Sequence, residues 1–162
     1  MRAHDAHPGD ALDWARVVLR RETAGRTLDV GCGSGTFLLQ GAVGLDPDLA
    51  ALQQARTRSG RLVRADAHAL PFRDASFDTV YANRMLNDAG RIDDVLAETS
   101  RVLRPRGRLL VFTRARAGEG DRLDRTSGEV RLRRHFEAVR AEIHPTDERA
   151  AVFVAERPRA AG

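Results

Sequence analysis

The run Leu28-Asp29-Val30-Gly31-Cys32-Gly33-Ser34-Gly35-Thr36, followed after the next apolar stretch by an acid at Asp46, constrains the fold more than any other feature of the chain. Strand-compatible residues lead into glycines at alternate positions. A buried strand is therefore expected to end in a turn whose backbone lies bare, with a helix beginning at about Ser34. Bare backbone at a strand end serves a ligand that must approach it closely. Backbone N–H groups at a helix N-terminus suit a carboxylate or phosphate, and a carboxylate at the end of the neighbouring strand can accept hydrogen bonds from both ribose hydroxyls. The pattern predicts a nucleotide site with Asp46 as the ribose carboxylate.

Glycine spacing separates two nucleotide chemistries. A dinucleotide fingerprint runs Gly-x-Gly-x-x-Gly, but its third glycine would fall on Thr36 counting from Gly31, or on Leu38 counting from Gly33. What stands here is Gly-x-Gly-x-Gly, which resembles the class I S-adenosylmethionine-dependent methyltransferases, in particular the small type 11 methyltransferase domains. Further segments follow in that family's order. Val43-Gly44-Leu45-Asp46-Pro47 resembles the ribose-binding strand end, and Ala65-Asp66-Ala67-His68-Ala69-Leu70-Pro71-Phe72 the adenine-binding loop. Phe77-Asp78-Thr79-Val80-Tyr81-Ala82-Asn83 is similar to the fourth strand, which leads to the substrate face. The segment from Glu98 through Arg101-Val102-Leu103-Arg104-Pro105-Arg106-Gly107 to Leu109 resembles the helix, turn and fifth strand. The resemblance covers about residues 10 to 156, so a single domain over 1–162 with a frayed tail from 157 is expected.

Composition agrees with one compact domain. With 162 residues, 42% hydrophobic and 31% charged, the chain can bury a sizeable core. No apolar run is long enough to span a bilayer, and the segment from Met1 to Pro8 lacks a secretory apolar stretch. The lone Cys32 cannot form an internal disulfide; these features together predict a cytoplasmic protein. All 27 basic residues are arginine, against 23 acids, leaving a formal net charge of only +4. The absence of lysine excludes Schiff-base catalysis and a P-loop phosphate site. Aromatics make up 5% of the chain, which leaves few platforms for stacking bases, so nucleic-acid binding has no support from composition.

Apolar periodicity predicts alternating elements. A helix over 10–21 precedes a strand over 27–30, and a second strand over 42–45 ends at Asp46. Pro47 is expected in the first turn of a helix running to about 58, before a third strand over 61–65. Strand four is placed at 79–82. The helix carrying Ile92, Val95, Leu96, Thr99, Val102 and Leu103 should stop at Pro105, with Gly107 turning the chain into strand five over 108–113. A polar stretch over 114–129, helical at its end, precedes apolar segments over 136–143 and 151–155 that suit an antiparallel pair. The order makes a doubly wound, Rossmann-like α/β fold, mostly parallel with a C-terminal antiparallel strand; the resemblance implies strand order 3-2-1-4-5-7-6.

The resemblance further implies S-adenosyl-L-methionine as cofactor, with S-adenosyl-L-homocysteine as product. Asp29, Gly31 and Gly33 would hold the methionine end, Asp46 with Pro47 the ribose, Asp66 the adenine amino group, and Ala67 a ring nitrogen through its backbone. Asn83 would sit near the methyl group as the catalytic candidate; its alternative role is to cap the turn after strand four. Cys32 reads as a small buried spacer, and His68 as solvent-facing rather than a base. His4, His7, His135 and His144 show no metal-ligand grouping, so no metal is expected. Glu98 and Arg101 read as a local ion pair, and the arginines over 101–108 as a solvated edge. At Asn87-Asp88 many relatives carry histidines, so no general base is assigned.

Two departures from the family pattern stand out. The segment from Gly35 to Asp46 has room for a helix of barely two turns, and little chain is available for a substrate lid. The pocket should be open, or closed by the 114–124 loop, by residues 1–9 or by another subunit, which leaves a homo-oligomer in play. The leading reading is a methyltransferase acting on a small-molecule acceptor. Its alternatives are an RNA or protein methyltransferase that docks on an open face, and a regulatory protein that binds the cofactor without catalysis.

Overall fold

The computed structural model describes residues 10–58, 61–83, 91–114 and 125–158. Helix α1 (Ala11–Glu22) leads into β1 (Thr27–Val30) and β2 (Val43–Asp46); α2 (Leu49–Ala55) leads to β3 (Leu62–Arg64) and β4 (Phe77–Asn83). Helix α3 (Ile92–Val102), β5 (Leu103–Arg114), α4 (Arg125–His135), β6 (Phe136–Ile143) and β7 (Ala150–Pro158) complete the order. The seven strands form one sheet in the order β3-β2-β1-β4-β5-β7-β6. Strands β1 to β5 pair in parallel, while β7 runs antiparallel to both β5 and β6. This is the order that the resemblance implied.

Side-chain alternation assigns each strand residue to one of two apolar layers. Leu28 and Val30 of β1, Val80 and Ala82 of β4, Leu109 and Val111 of β5, and Phe153 and Ala155 of β7 share a cluster with Val95 and Leu96 of α3 and Leu132 of α4. Intervening residues Tyr81, Leu110, Phe112, Val152 and Val154 face the other way, onto Ala15, Val18 and Leu19 of α1. Register makes the layers continuous: Leu28 lies opposite Val80, Val80 opposite Leu109, and Leu109 opposite Ala155. The parallel strands are thus covered on both faces, and a ligand has access at their C-terminal ends.

Four local expectations are corrected. No helix follows the glycine loop. Residues 31–42 instead form separate three-residue-spaced turns, with N–H donations from Gly35 to Cys32, Leu38 to Gly35 and Ala42 to Leu39. The cause is backbone conformation: Gly31, Gly33, Gly35 and Gly41 all have positive φ, which no right-handed helix accommodates. Pro47 lies outside α2, because Asp48 is the N-cap, its Oδ1 accepting from Ala50 N–H at 2.8 Å. Strand β5 starts at Leu103 and runs through Pro105 and Gly107. The chain still bulges there, since Phe77 pairs with Leu103 while Thr79 pairs with Arg108. Finally, β7 extends to Pro158, which pairs with Phe136, so residues 157 and 158 belong to the sheet.

Candidate cofactor site

Three adjacent strand ends build the centre of the site. Strand β1 lies between β2 and β4, and delivers Asp29 and the glycine loop beside Asp46 on one flank and Asn83 on the other. The loop is fastened to β2 by Gly31 and Cys32, whose N–H groups both donate to the Leu45 carbonyl, at 2.8 and 3.0 Å. Gly33 N–H donates to Asp46 Oδ2 at 2.8 Å, and Asp48 N–H donates to Oδ1 at 2.9 Å. Asp46 therefore has a fixed orientation, and each of its oxygens retains acceptor capacity for hydroxyl donors.

Each glycine answers a different demand. Gly33 has φ +51°, and a Cβ there would meet nothing within 4 Å, so the backbone fronts open space. At Gly35 a Cβ would lie 3.1 Å from Ala55 Cβ, so that glycine serves the approach of α2 to the loop. A Cβ at Gly44, which belongs to β2, would lie 2.9 Å from Cys32 Sγ, and this position keeps the loop seated on the sheet. Cys32 is buried, and burial pushes its thiol up to about 12, as suits an inert spacer.

Asp29 is the most unusual group among the described residues. It is 1% exposed, and neither carboxylate oxygen has a hydrogen-bond partner. Burial pushes it up to about 8; the nearby Tyr81 hydroxyl offsets part of that rise and the Asp46 charge adds to it. Tyr81 has other commitments, donating to the Phe37 carbonyl at 3.2 Å and accepting from Leu39 N–H at 2.9 Å. A buried, unpaired carboxyl at a strand end that fronts open backbone fits a cationic ligand group, and the glycine edge with Asp46 fits a ribose. These acceptors are therefore compatible with a nucleoside that carries an amino-acid ammonium group.

Beyond β3, the 66–74 segment carries the remaining nominated residues. Both contacts to the Asp66 carboxylate fall on Oδ1, from His68 N–H at 2.9 Å and His68 Nδ1 at 2.6 Å. These hydrogen bonds, the backbone one first, hold Asp66 below its ordinary value. His68 is thus engaged with Asp66 instead of facing solvent freely, and its side chain is only 22% exposed. Ala67 is buried in the core cluster. Asn83 Oδ1 is buried without a partner, so it makes no capping hydrogen bond among the described residues. Asn87, Asp88, most of the 114–124 loop, His4 and His7 lie outside the described residues.

The other described histidines have local partners, although His144 Nε2 is buried without one. His144 is 4% exposed, accepts from Asp147 N–H at 3.0 Å through Nδ1, and meets Trp14 edge to face; His135 Nε2 lies 3.5 Å from Asp93. Among the described residues no group of three or more His, Cys, Asp or Glu is placed to hold a metal, and no helix is long and apolar enough to cross a membrane. A cleft of about 470 Å³ opens beside Arg20, Thr23, Thr27, Gln40 and Ala42. It lies at the starts of β1 and β2, away from the glycine edge, and contributes nothing to this site.

The sequence missed two contributors. Tyr81 anchors the crossover, yet in the sequence it is indistinguishable from any buried strand aromatic. The Glu98–Arg101 pair reads as a helix-surface contact three residues apart, but Glu98 Oε2 also accepts Leu70 N–H at 2.7 Å, and Arg101 donates to the carbonyls of Leu70 and Phe72.

Comparison with known proteins gives a consistent result. The family described as methyltransferase domain matches residues 28–111. The chain is 36% identical over 101 residues to a malonyl-[acyl-carrier protein] O-methyltransferase of Legionella pneumophila, covering 54% of this chain and 36% of that protein. It is 40% identical over 117 residues to a ubiquinone/menaquinone biosynthesis C-methyltransferase of Dinoroseobacter shibae, covering 62% and 45% respectively. The chain thus spans less than half the length of these curated relatives. In structure it is similar to a SAM-dependent methyltransferase of Thermotoga maritima described as a possible histamine N-methyltransferase, with TM-score 0.72, 20% identity, and coverage of 91% of this chain and 88% of that one. That likeness establishes the shared fold.

Proposed function

Because the chain belongs to the methyltransferase domain family, we propose that it transfers a methyl group from S-adenosyl-L-methionine to a small-molecule acceptor by in-line displacement. Asp29 carries most of the support, as a buried carboxyl with both oxygens unpaired beside an open glycine backbone. In this reading Asp29, Gly31 and Gly33 receive the methionine end, with the Asp29 carboxylate opposite the ammonium group. Asp46 accepts from the ribose hydroxyls with Pro47 beside it, Asp66 accepts from the adenine amino group, and the Ala67 backbone meets a ring nitrogen. Asn83 stands on the acceptor side, its unpaired Oδ1 available to an N–H or O–H of the incoming nucleophile.

The bound cofactor supplies a methyl group on a positively charged sulfur, with a neutral thioether as leaving group. The protein's share is chiefly orientation. Holding a nucleophile about 3 to 3.5 Å from the carbon it attacks, in line with the breaking bond, is worth roughly 7 to 11 kcal/mol at best. A base is required only when the nucleophile arrives protonated. The ubiquinone/menaquinone biosynthesis C-methyltransferase among the relatives supports a small acceptor.

Isothermal titration with S-adenosyl-L-homocysteine, NAD and ATP tests the cofactor assignment. Saturable binding of the first alone is expected; NAD binding without a response to the homocysteine compound would refute it. Mass spectrometry of a carboxylate, phenol and quinol acceptor panel then tests transfer. Tight cofactor binding with no transfer across the panel would instead support the regulatory alternative.

A further inference from the structure

The 66–74 loop is held against the last turns of α3 by a single guanidinium. Arg101 Nε and Nη2 donate to Glu98 Oε1 and Oε2, each at 2.8 Å. Nη1 donates to the Phe72 carbonyl at 2.9 Å and to Asp74 Oδ1 at 2.7 Å, while Nη2 also donates to the Leu70 carbonyl at 3.0 Å. Every N–H of the guanidinium therefore has an acceptor. Glu98 completes the grip, because Leu70 N–H donates to its Oε2 at 2.7 Å. Leu70 is thus clamped through both its N–H and its carbonyl. Phe72 adds an apolar pin, packing edge to face on Phe77 at 5.0 Å between centroids.

This grip differs from a surface ion pair, whose partners lose little when separated. The planar fork spends one edge on Glu98 and the other on loop carbonyls, a division that lysine cannot reproduce. Asp66 supplies the second half of the argument. Its side chain is 68% exposed and its hydrogen bonds are to His68 two residues on, so the path of the loop sets where its carboxylate points. The clamp at Leu70 lies four residues further along that path.

We propose that the Glu98–Arg101 pair is the positioning device for base recognition. It sets the place of the Asp66 carboxylate and the Ala67 backbone, so that the choice of a 6-aminopurine over a 6-oxopurine depends on a guanidinium that touches no ligand. The inference rests on the reading above, in which Asp66 accepts from the adenine amino group.

The test compares S-adenosyl-L-homocysteine with S-inosyl-L-homocysteine, in which a carbonyl oxygen replaces the amino group, by titration calorimetry. The proteins are wild type, Arg101→Lys, Glu98→Gln, Asp66→Asn and the exposed control Arg104→Lys, each with its melting temperature. Wild type and the control should prefer the adenosyl compound by about 10- to 150-fold, the range for a hydrogen bond to a charged group. Arg101→Lys and Glu98→Gln should bring that ratio to within a few-fold of one, as Asp66→Asn does, and combining either with Asp66→Asn should lower it no further. A purely structural role would lower melting temperature and weaken both ligands alike while preserving the ratio, and that result overturns the proposal. Glu98→Gln keeps the test available should Arg101→Lys fail to fold. A wild type that does not discriminate would refute the Asp66 assignment, and the proposal with it; one that binds neither compound would refute the cofactor reading itself.

Discussion

Replacing Asp29 by asparagine should stabilise the protein at neutral pH while weakening its cofactor site. In an unfolded chain an aspartate ionises near pH 3.9. In the folded protein burial pushes Asp29 up to about 8. Between those values the unfolded chain has released a proton that the native state retains, so native stability falls as pH rises through the interval, by about 1.36 kcal/mol per pH unit. At pH 7 the penalty is on the order of 4 kcal/mol relative to acid conditions below the unfolded value. Asparagine has the same shape and never ionises. At pH 4 the two proteins should be nearly equal, since each buries a neutral unpartnered group, and at pH 7 the variant should be ahead by about 2 to 4 kcal/mol. Urea unfolding followed by circular dichroism at several pH values between 4 and 8 measures the difference, with unchanged m-values as the two-state check. Titration of the same variant with S-adenosyl-L-homocysteine should show a loss of affinity, opposite in sign to the stability change. A stability difference that stays flat across the pH range would refute the reasoning, because it would mean that Asp29 ionises alike in folded and unfolded chains.

Asp46→Ala should weaken S-adenosyl-L-homocysteine binding by about 10- to 150-fold, measured by calorimetry. It should also lower stability by about 1 to 3 kcal/mol, because Gly33 and Asp48 N–H groups lose their acceptor. Gly33→Val and Gly44→Val should fail differently: the first strains a residue at φ +51° and abolishes ligand binding, while the second drives a side chain into Cys32 and Leu62 and unfolds the domain, as melting curves would show. Tyr81→Phe should cost about 1 to 2 kcal/mol in urea unfolding by leaving Leu39 N–H unpaired, with faster hydrogen exchange confined to the crossover. Asn83→Ala should leave cofactor affinity within a few-fold of wild type but slow transfer to an identified acceptor; an unchanged rate would remove Asn83 from the acceptor side.

Much of the fold was legible because its signals are local and repeated. The short apolar runs around Leu28, Val30, Val80, Ala82, Leu109 and Val111 predict buried strands, and the helical spacing from Ile92 to Val102 predicts α3 with its buried face correct. Asp29, Asp46 and the glycines were legible for the same reason, since strand ends and positive-φ turns leave marks in short segments. The Glu98–Arg101 grip was not, because its partners at Leu70 and Phe72 are backbone atoms, and a backbone atom carries no residue type for a sequence pattern to register.

The missing helix shows the same limit from the opposite side. A parallel crossover needs about a dozen residues and usually spends them on a helix. Residues 31–42 supply that length, but four glycines at positive φ leave no uninterrupted run in which helical hydrogen bonds can propagate. Without such a ladder, the turns need acceptors and donors from elsewhere. Tyr81 meets part of that need from β4, its hydroxyl holding both Leu39 N–H and the Phe37 carbonyl from within the sheet. Its position then has a consequence for chemistry. A phenol whose one proton is committed to the crossover cannot also pair fully with Asp29 beside it, so the device that holds a shortened loop also helps to leave that carboxyl unpaired, which the proposed pairing with a cationic ligand group requires.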